Sequence, residues 1–359
     1  MIASDLDAGI HNLLLNCADV QPGESLLIIH EDPKYGWYDL EAPMAVAASA
    51  RALGLSTKLH KVGAPDVFRD PGIMALAAAH DRVIFFARIG DQDRFETNAL
   101  KNPSVMSYAR NVASLASAYG QTNHLAMLAL KGTVNEILAT AQQIEITCPR
   151  GTRLTGTAAT PQGDGSTDVT VKRFPMGVPQ PVPCDQFSGQ VALTRYLTPT
   201  GSKAYAPPNL PIDGTVLAHL DGTRISRFEG DAAQVAAIEA HYTRVASLFG
   251  IDPFIVHSWH AGIHPGCTYS PSIDSDPDRW ANNTFTHPRL LHFHTCGNYP
   301  PGEICWSLLD PSVLVDGVAL WQDGVLTPER FAAGCECLRQ WPELAQLLAS
   351  PTMAIGVEQ

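Results

Sequence analysis

The chain has 359 residues, 45% of them apolar and 17% charged, a balance typical of a globular protein with one large core or two. Its net charge of −12 comes without a basic stripe, so nucleic acid is not an expected partner, and no apolar run is long enough to span a bilayer. There is no secretory signal pattern and the eight cysteines are dispersed, so we expect a cytoplasmic protein without a disulfide framework.

Residues 1–140 predict an α/β domain with a mostly parallel sheet. Apolar residues at helical spacing cover residues 5–18, and a second helix is predicted from Pro43 to Leu53. Short apolar or β-branched runs predict strands at residues 25–29, 57–62, 82–87 and 125–130. Strands that alternate with helices indicate βαβ units. No glycine-rich phosphate loop follows the first strand, so a nucleotide site is not indicated.

Residues 141–359 predict a β-rich α+β domain, which begins after a helix at residues 134–142. Asp221-Gly222 is a hairpin signal, and residues 231–249 form an amphipathic helix with Asp231 near its N-cap. A last helix is predicted at residues 328–349. The predicted strands are residues 144–147, 168–171, 190–195, 215–219, 313–315 and 318–321.

A histidine-rich stretch, residues 254–307, holds six of the thirteen histidines of the chain. They are His257, His260, His264, His287, His292 and His294. Histidine is the commonest metal ligand and the commonest acid or base near neutral pH. The stretch therefore predicts the functional site.

Strand geometry groups some of these histidines. His292 and His294 are two apart on a predicted strand, so both side chains point to one side. Residues 254–259 predict a strand that carries His257, with His260 at the loop after it. With one or two of these earlier histidines, His292 and His294 could form a site of three or four nitrogens, which suits Zn, Fe, Cu or Ni. The alternative is that some of these imidazoles bind backbone carbonyls and others line a polar pocket.

Cysteine and aromatic residues of the same stretch are further candidates. Cys305 could be a thiolate ligand or a nucleophile activated by an imidazole, and Glu303, on the same strand face, could act as acid or base. The alternative for Cys305 is a small buried apolar residue. The aromatic residues could form a wall that stacks on a flat substrate, or could belong to the core; they are Trp259, Tyr269, Tyr299 and Trp306.

The order of these features resembles a known superfamily. It contains the aminopeptidase T type of metallo-aminopeptidases and the iron-dependent 2,5-dihydroxypyridine dioxygenases. The resemblance is strongest after residue 141. It rests on residues 144–154 (IEITCPRGTRL), 174–190 (FPMGVPQPVPCDQFSGQ), 262–265 (GIHP), 292–298 (HFHTCGN) and 304–317 (ICWSLLDPSVLVDG).

Several ligand positions of the superfamily are replaced in this sequence. Val178 stands where the aminopeptidases carry a metal-binding Glu, and Phe285 and its neighbours stand where they carry an acidic cluster. Cys305-Trp306-Ser307 replaces the His-any-Asp of both branches. His292 matches the peptidase pattern, as does Tyr299 seven residues later. A two-metal site needs bridging carboxylates, and the matching positions do not supply them.

The resemblance implies an enzyme of aromatic compound catabolism, a metal-dependent oxidoreductase that opens the ring of a small nitrogen-containing, heteroaromatic metabolite. A divalent metal, with Fe(II) favoured and Zn as alternative, would be bound by His257, His260, His292 and His294. Substrate would contact His264, Trp259 and Trp306, and the catalytic residues would be Cys305, Glu303 and Tyr299. A homodimer is an expectation from the resemblance alone.

Two other functions stay open. One is an amide, lactam or peptide hydrolase that uses zinc on the same histidines or Cys305 with a histidine. The other is a metal-free descendant that only binds a ligand, as the replaced carboxylates would allow.

Overall fold

The computed structural model describes residues 2–65, 70–91, 102–157, 171–199, 205–297 and 302–357. Its contacts divide the chain into two compact units, Met1–Leu128 with Ser166–Gly177 and Ala129–Gly165 with Val178–Gln359. The α-helices of the described residues are α1 (Ile2–His11), α2 (Glu41–Ala52), α3 (Pro71–Ala78), α4 (Val112–Leu115), α5 (Ala118–Gln121), α6 (His124–Ala139), α7 (Ala232–Phe249), α8 (Pro277–Thr284), α9 (Ala332–Gln340) and α10 (Pro342–Ala349).

The strands of the described residues are β1 (Ser25–Glu31), β2 (Ser56–Val62), β3 (Arg82–Phe86), β4 (Ser104–Ser107), β5 (Ile144–Thr147), β6 (Arg153–Gly156), β7 (Lys172–Phe174), β8 (Val182–Pro183), β9 (Phe187–Pro199), β10 (Leu210–Asp221), β11 (Arg224–Glu229), β12 (Val256–Ala261), β13 (Leu290–Thr295), β14 (Ile304–Leu309), β15 (Ser312–Val315), β16 (Val318–Gln322) and β17 (Val325–Leu326). A π-helical turn, Asn12–Cys17, continues α1.

The first unit is built on a parallel sheet with the strand order β2-β1-β3-β4-β7. Strand β1 lies between two neighbours, and its residues Leu26 to Ile29 are fully buried. A parallel strand covered on both faces needs such a continuous apolar run, which is why the sequence predicted it. The strands predicted at residues 25–29, 57–62 and 82–87 are confirmed as β1, β2 and β3. The helix predicted from Pro43 to Leu53 is confirmed as α2.

Two expectations about the first half are corrected. Residues 125–130, predicted as a strand, lie inside helix α6. The run consists of Leu, Ala and Met, which favour helix and lack the β-branching typical of strands, and a short apolar run has no period to decide between them. The predicted domain division at residue 140 also placed Lys172–Phe174 in the second domain, whereas these residues form the edge strand β7 of the parallel sheet.

The second unit is built on an antiparallel sheet of twelve strands in the described residues. The predicted hairpin at Asp221-Gly222 joins β10 to β11, and the helix capped by Asp231 is α7; both predictions are confirmed. The predicted last helix is interrupted before Pro342, which begins α10. Most of the predicted strand at residues 168–171 lies outside the described residues.

No helix in the described ranges combines the length and the apolar character that crossing a membrane requires.

Candidate functional site

The histidine-rich stretch forms neighbouring strands of the antiparallel sheet. Strand β13 pairs with β12 on one side and β14 on the other. Residues that face each other across antiparallel strands point to the same side of the sheet. One cross-strand row contains His260, His292 and Ser307. The next row contains Ser258, His294, Cys305 and, on strand β9, Thr198. We call these seven residues the polar face.

The imidazole rings on the polar face lie against one another. The ring centroid of His260 is 5.6 Å from that of His292 and 5.1 Å from that of His294. His260 is 6% exposed and His292 is 3% exposed, so water has little access to either ring. The structure therefore brings together three of the four histidines that the sequence grouped, and it does so through the strand register.

A carboxylate reaches the second row. Glu303 Oε1 lies 2.6 Å from His294 Nδ1, and the glutamate is 5% exposed. Glu303 precedes β14 and comes two residues before Cys305, so the two side chains point to the same side of the sheet. Cys305 pairs with His294 on the neighbouring strand β13. A short contact of this kind orients the imidazole.

His257, the fourth of the predicted metal-binding histidines, lies at a β-bulge next to Ser258 of the polar face. The pairing shifts between Val256 and Ser258, so His257 is the extra residue of strand β12. Its Nδ1 lies 2.8 Å from Ser258 Oγ. Burial lowers the pKa of His257, with a smaller lowering from nearby His294 and an opposing effect of Glu303.

His292 is held neutral. Burial lowers the pKa of His292 to about 3, with a further lowering from His294 and an opposing effect of Glu303. Its Nε2 atom is buried and has no hydrogen-bond partner within the described residues. The ring of Phe285 stacks on it, with centroids 6.3 Å apart. An aromatic ring thus lies beside this histidine at the position where the resemblance implies acidic residues.

The two predicted substrate-binding tryptophans lie on the opposite side of the sheet. Trp259 and Trp306 alternate with His260 and Cys305 along their strands, and both pair with Phe293. They are 0% and 1% exposed. Trp306 Nε1 donates a hydrogen bond to the Tyr242 hydroxyl of helix α7, 2.6 Å away. Strand alternation places both tryptophans in the core and not with the histidines.

The two remaining predicted site residues are His264 and Tyr299. His264 is fully buried in the loop after β12, where its backbone N–H donates to Thr286 O and its Nδ1 accepts from the Gly266 amide. These two hydrogen bonds stabilise the conformation of the loop. Tyr299 lies outside the described residues.

Three residues of the polar face were not among the predicted site residues. Ser258 could have been found from its spacing of two from His260, and Ser307 from its spacing of two from Cys305. Thr198 is about a hundred residues away in sequence, and only the pairing of β9 with β14 brings it opposite Cys305.

The polar face is bounded by an apolar cluster. Leu290 and Leu309, next along β13 and β14 on the same side, pack against Trp280 of α8 and Ile355 near the C-terminus. Trp280 Nε1 donates to the Ile355 carbonyl, 2.6 Å away. The polar residues therefore begin where this covering cluster ends.

A metal ion is implied by the resemblance, and the donor set can be tested for it. Within the described ranges, no three His, Cys, Asp or Glu side chains are arranged as a group that could hold an ion. The chemistry of the donors does fit a nitrogen-preferring metal: three imidazoles adjoin, and the buried His292 Nε2 has no partner in the described part of the chain. The polar face thus supplies suitable donors without a converged arrangement.

The fold and this site define a protein with an α/β unit and an antiparallel unit that carries a histidine-lined polar face. Neither a protein-family model nor a curated protein sequence matches the chain. Solved structures do match, among them two that cover most of both chains. The 2,5-dihydroxypyridine dioxygenase from Pseudomonas putida KT2440 has 12% identity and a TM-score of 0.59, over 91% of this chain and 98% of that one. AmpT from Thermus thermophilus has 11% identity and a TM-score of 0.52, over 91% of this chain and 100% of that one.

These comparisons confirm the predicted resemblance at the level of the fold. The chain is a divergent representative of the fold shared by the dioxygenase and AmpT. The fold is therefore one that supports enzymatic activity, and the reaction has to be argued from this chain's own residues.

Proposed function

We propose that this protein is a metal-dependent enzyme that opens the ring of a small, nitrogen-containing aromatic compound with dioxygen. The observation that carries the proposal is the group of adjoining imidazoles of His260, His292 and His294, with a buried, unpartnered Nε2 on His292 among the described residues. The fold shared with a 2,5-dihydroxypyridine dioxygenase supports the reaction class.

The ring nitrogens of His260, His292 and His294 would hold the ion, with His257 as a further candidate. Iron is favoured over zinc because a bound iron ion supplies the redox chemistry that dioxygen requires, whereas zinc acts only as a Lewis acid.

The other residues of the site orient the ligands and the substrate. Glu303, 2.6 Å from His294 Nδ1, would accept that N–H and hold the imidazole so that its second nitrogen faces the ion. Phe285, stacked on His292, offers an aromatic surface for a flat ring. Burial of the polar face keeps water away from the reacting atoms.

The test is elemental analysis of protein purified without added metal or chelator, together with oxygen uptake on hydroxylated pyridines. We expect bound iron, and we expect His292→Ala and His294→Ala to lose both the metal and the oxygen uptake. The matched control is His219→Ala, a histidine of the same unit that pairs with Glu229 on strand β11. If folded His292→Ala and His294→Ala proteins retained metal and activity, the proposal would be wrong.

A second candidate, an amide or lactam hydrolase, is favoured by one observation. His294 lies between Glu303, at 2.6 Å, and Cys305, its cross-strand neighbour. A nucleophile, an imidazole and an orienting carboxylate in this order are the parts of an acyl-transfer site.

Alkylation separates this candidate from the first. In a Cys335→Ala background, which removes an exposed thiol, we expect a Cys305-dependent hydrolase to be inactivated by iodoacetamide and abolished by Cys305→Ala. Activity that survives Cys305→Ala, or that requires metal and dioxygen, would exclude it.

A further inference from the structure

Three buried polar atoms of the polar face have no hydrogen-bond partner within the described residues. They are Thr198 Oγ1, His292 Nε2 and Ser307 Oγ. Thr198 is 1% exposed and His292 is 3% exposed. Buried polar groups in folded proteins almost always have a partner, so three such atoms on one side of one sheet indicate a missing polar partner.

The strand register connects these atoms into one surface. Ser307 lies opposite His292, and Thr198 lies opposite Cys305, which itself faces His294. Adjacent strands are ~4.8 Å apart, so the three atoms span β13, β14 and β9 over roughly 10 Å. That is the scale of one small ring compound with its substituents.

The charges of the side chains on the polar face restrict the class of ligand that can bind there. The seven residues of the polar face include no lysine or arginine, and the carboxylate that contacts the face is Glu303. A phosphate or sulfonate would meet no cationic side chain among these seven residues and would be repelled by the glutamate. Hydroxyl groups instead suit a neutral ligand that has both a donor and an acceptor.

We propose that Thr198 and Ser307 bind the polar edge of the substrate, a neutral lactam-like or hydroxylated nitrogen ring, beside His292. The inference rests on the proposed function in that the ligand is taken to be its substrate. It extends the site beyond the histidines to strands β14 and β9, and it assigns substrate selection to two hydroxyl groups. Each hydroxyl can donate to a ring carbonyl or accept from a ring N–H.

The proposal predicts an unusual effect of a hydroxyl substitution on the unfolding temperature. A hydroxyl that is unpartnered in the ligand-free protein contributes nothing to folding, so Thr198→Val should leave the unfolding temperature unchanged or raise it. The matched control is Thr295→Val, on the other side of β13. The Thr295 hydroxyl donates to Ile304 O at 2.8 Å and lies 2.6 Å from the Tyr242 hydroxyl, so its loss should lower the unfolding temperature.

The experiment is calorimetric titration of the metal-free protein with 2-pyridone, a neutral ring with an N–H and a C=O on one edge. We expect Thr198→Val and Ser307→Ala each to weaken binding by about tenfold, and Thr295→Val to leave it unchanged. N-methyl-2-pyridone, which lacks the donor, should bind more weakly than 2-pyridone, and benzenesulfonate should not bind.

Several results would overturn the inference. They are no binding of 2-pyridone at millimolar concentration, binding that is unaffected by both hydroxyl substitutions, or preference for benzenesulfonate. Since the titration needs no metal and no turnover, it is independent of the proposed reaction. Hydroxyl-dependent binding without metal or oxygen uptake would refute the proposed function and leave this site standing.

Discussion

At the scale of single residues, the two sides of strands β12 to β14 have opposite chemistry. One side carries His260, His292 and Cys305, and the other carries Trp259, Phe293 and Trp306. On the aromatic side, the Tyr242 hydroxyl accepts from Trp306 Nε1 and contacts Thr295 Oγ1, each at 2.6 Å, whereas the buried Trp259 Nε1 has no partner in the described residues. The polar side has several such atoms, Thr198 Oγ1, His292 Nε2 and Ser307 Oγ, on one continuous surface, as a binding surface would.

Tyr242→Phe tests the hydrogen bonds that the Tyr242 hydroxyl makes on the aromatic side. Removing the hydroxyl leaves the buried Trp306 Nε1 without this acceptor, so we expect the free energy of unfolding to fall by about 1–3 kcal/mol. The comparison is Tyr196→Phe, whose hydroxyl bonds to Asp274 near solvent and should cost within about 0.5 kcal/mol. Urea unfolding of both variants measures the difference. Equal losses would contradict the assignment of Tyr242 as a structural anchor.

At the scale of elements, the site depends on how β12 ends and β13 begins. Gly262 follows β12, its amide donates to Leu290 O, and its carbonyl accepts from Trp321 Nε1. A Cβ at this position would overlap the backbone carbonyl of His287. The glycine therefore permits the close approach of the loop that connects the two histidine-bearing strands.

Gly262→Ala should consequently be destabilising. The overlap is with backbone and not with a movable side chain, so we expect a loss of about 1–3 kcal/mol in the free energy of unfolding. Gly132→Ala is the matched control, because a Cβ there meets nothing within 4 Å and the residue lies in helix α6. It should stabilise by up to about 1 kcal/mol. Thermal unfolding compares the two, and a neutral Gly262→Ala would show that the loop can move away.

At the scale of the whole molecule, each unit contains a buried histidine that folding keeps neutral. Burial lowers the pKa of His124 to about 4 in the first unit, with a smaller effect of Lys172. Burial lowers the pKa of His241 to about 4 in the second, with a smaller effect of Arg244. In the unfolded chain both return to a pKa near 6.5.

The sign of the pH dependence follows from these shifts. Between pH 6.5 and about 4 the unfolded chain binds protons that the folded protein does not, so stability falls as the pH is lowered through this window. Each histidine contributes about 3 kcal/mol, and below about pH 4 the contribution becomes constant. Urea unfolding at a series of pH values should show this slope, and His124→Gln should reduce it. An unchanged slope in His124→Gln would mean that its ring is already protonated when folded.

The fold was partly predictable because local patterns follow local physics. The buried run of β1, the Asp231 cap of α7 and the Asp221-Gly222 turn each have a mechanism that a few neighbouring residues supply. The apolar run at residues 125–130 had no such signal, because a short apolar run fits a buried helix as well as a buried strand.

The sequence by itself determined the chemistry of the site: a concentration of imidazoles with a cysteine and a glutamate, on strands whose alternation places His292 and His294 together. Only the tertiary structure decided which residues meet. Register set His260 opposite His292, excluded Trp259 and Trp306 from that side, and brought Thr198 from a distant strand. The physical reason is that strand alternation is a local property, whereas strand register depends on hydrogen bonds between segments far apart in the chain.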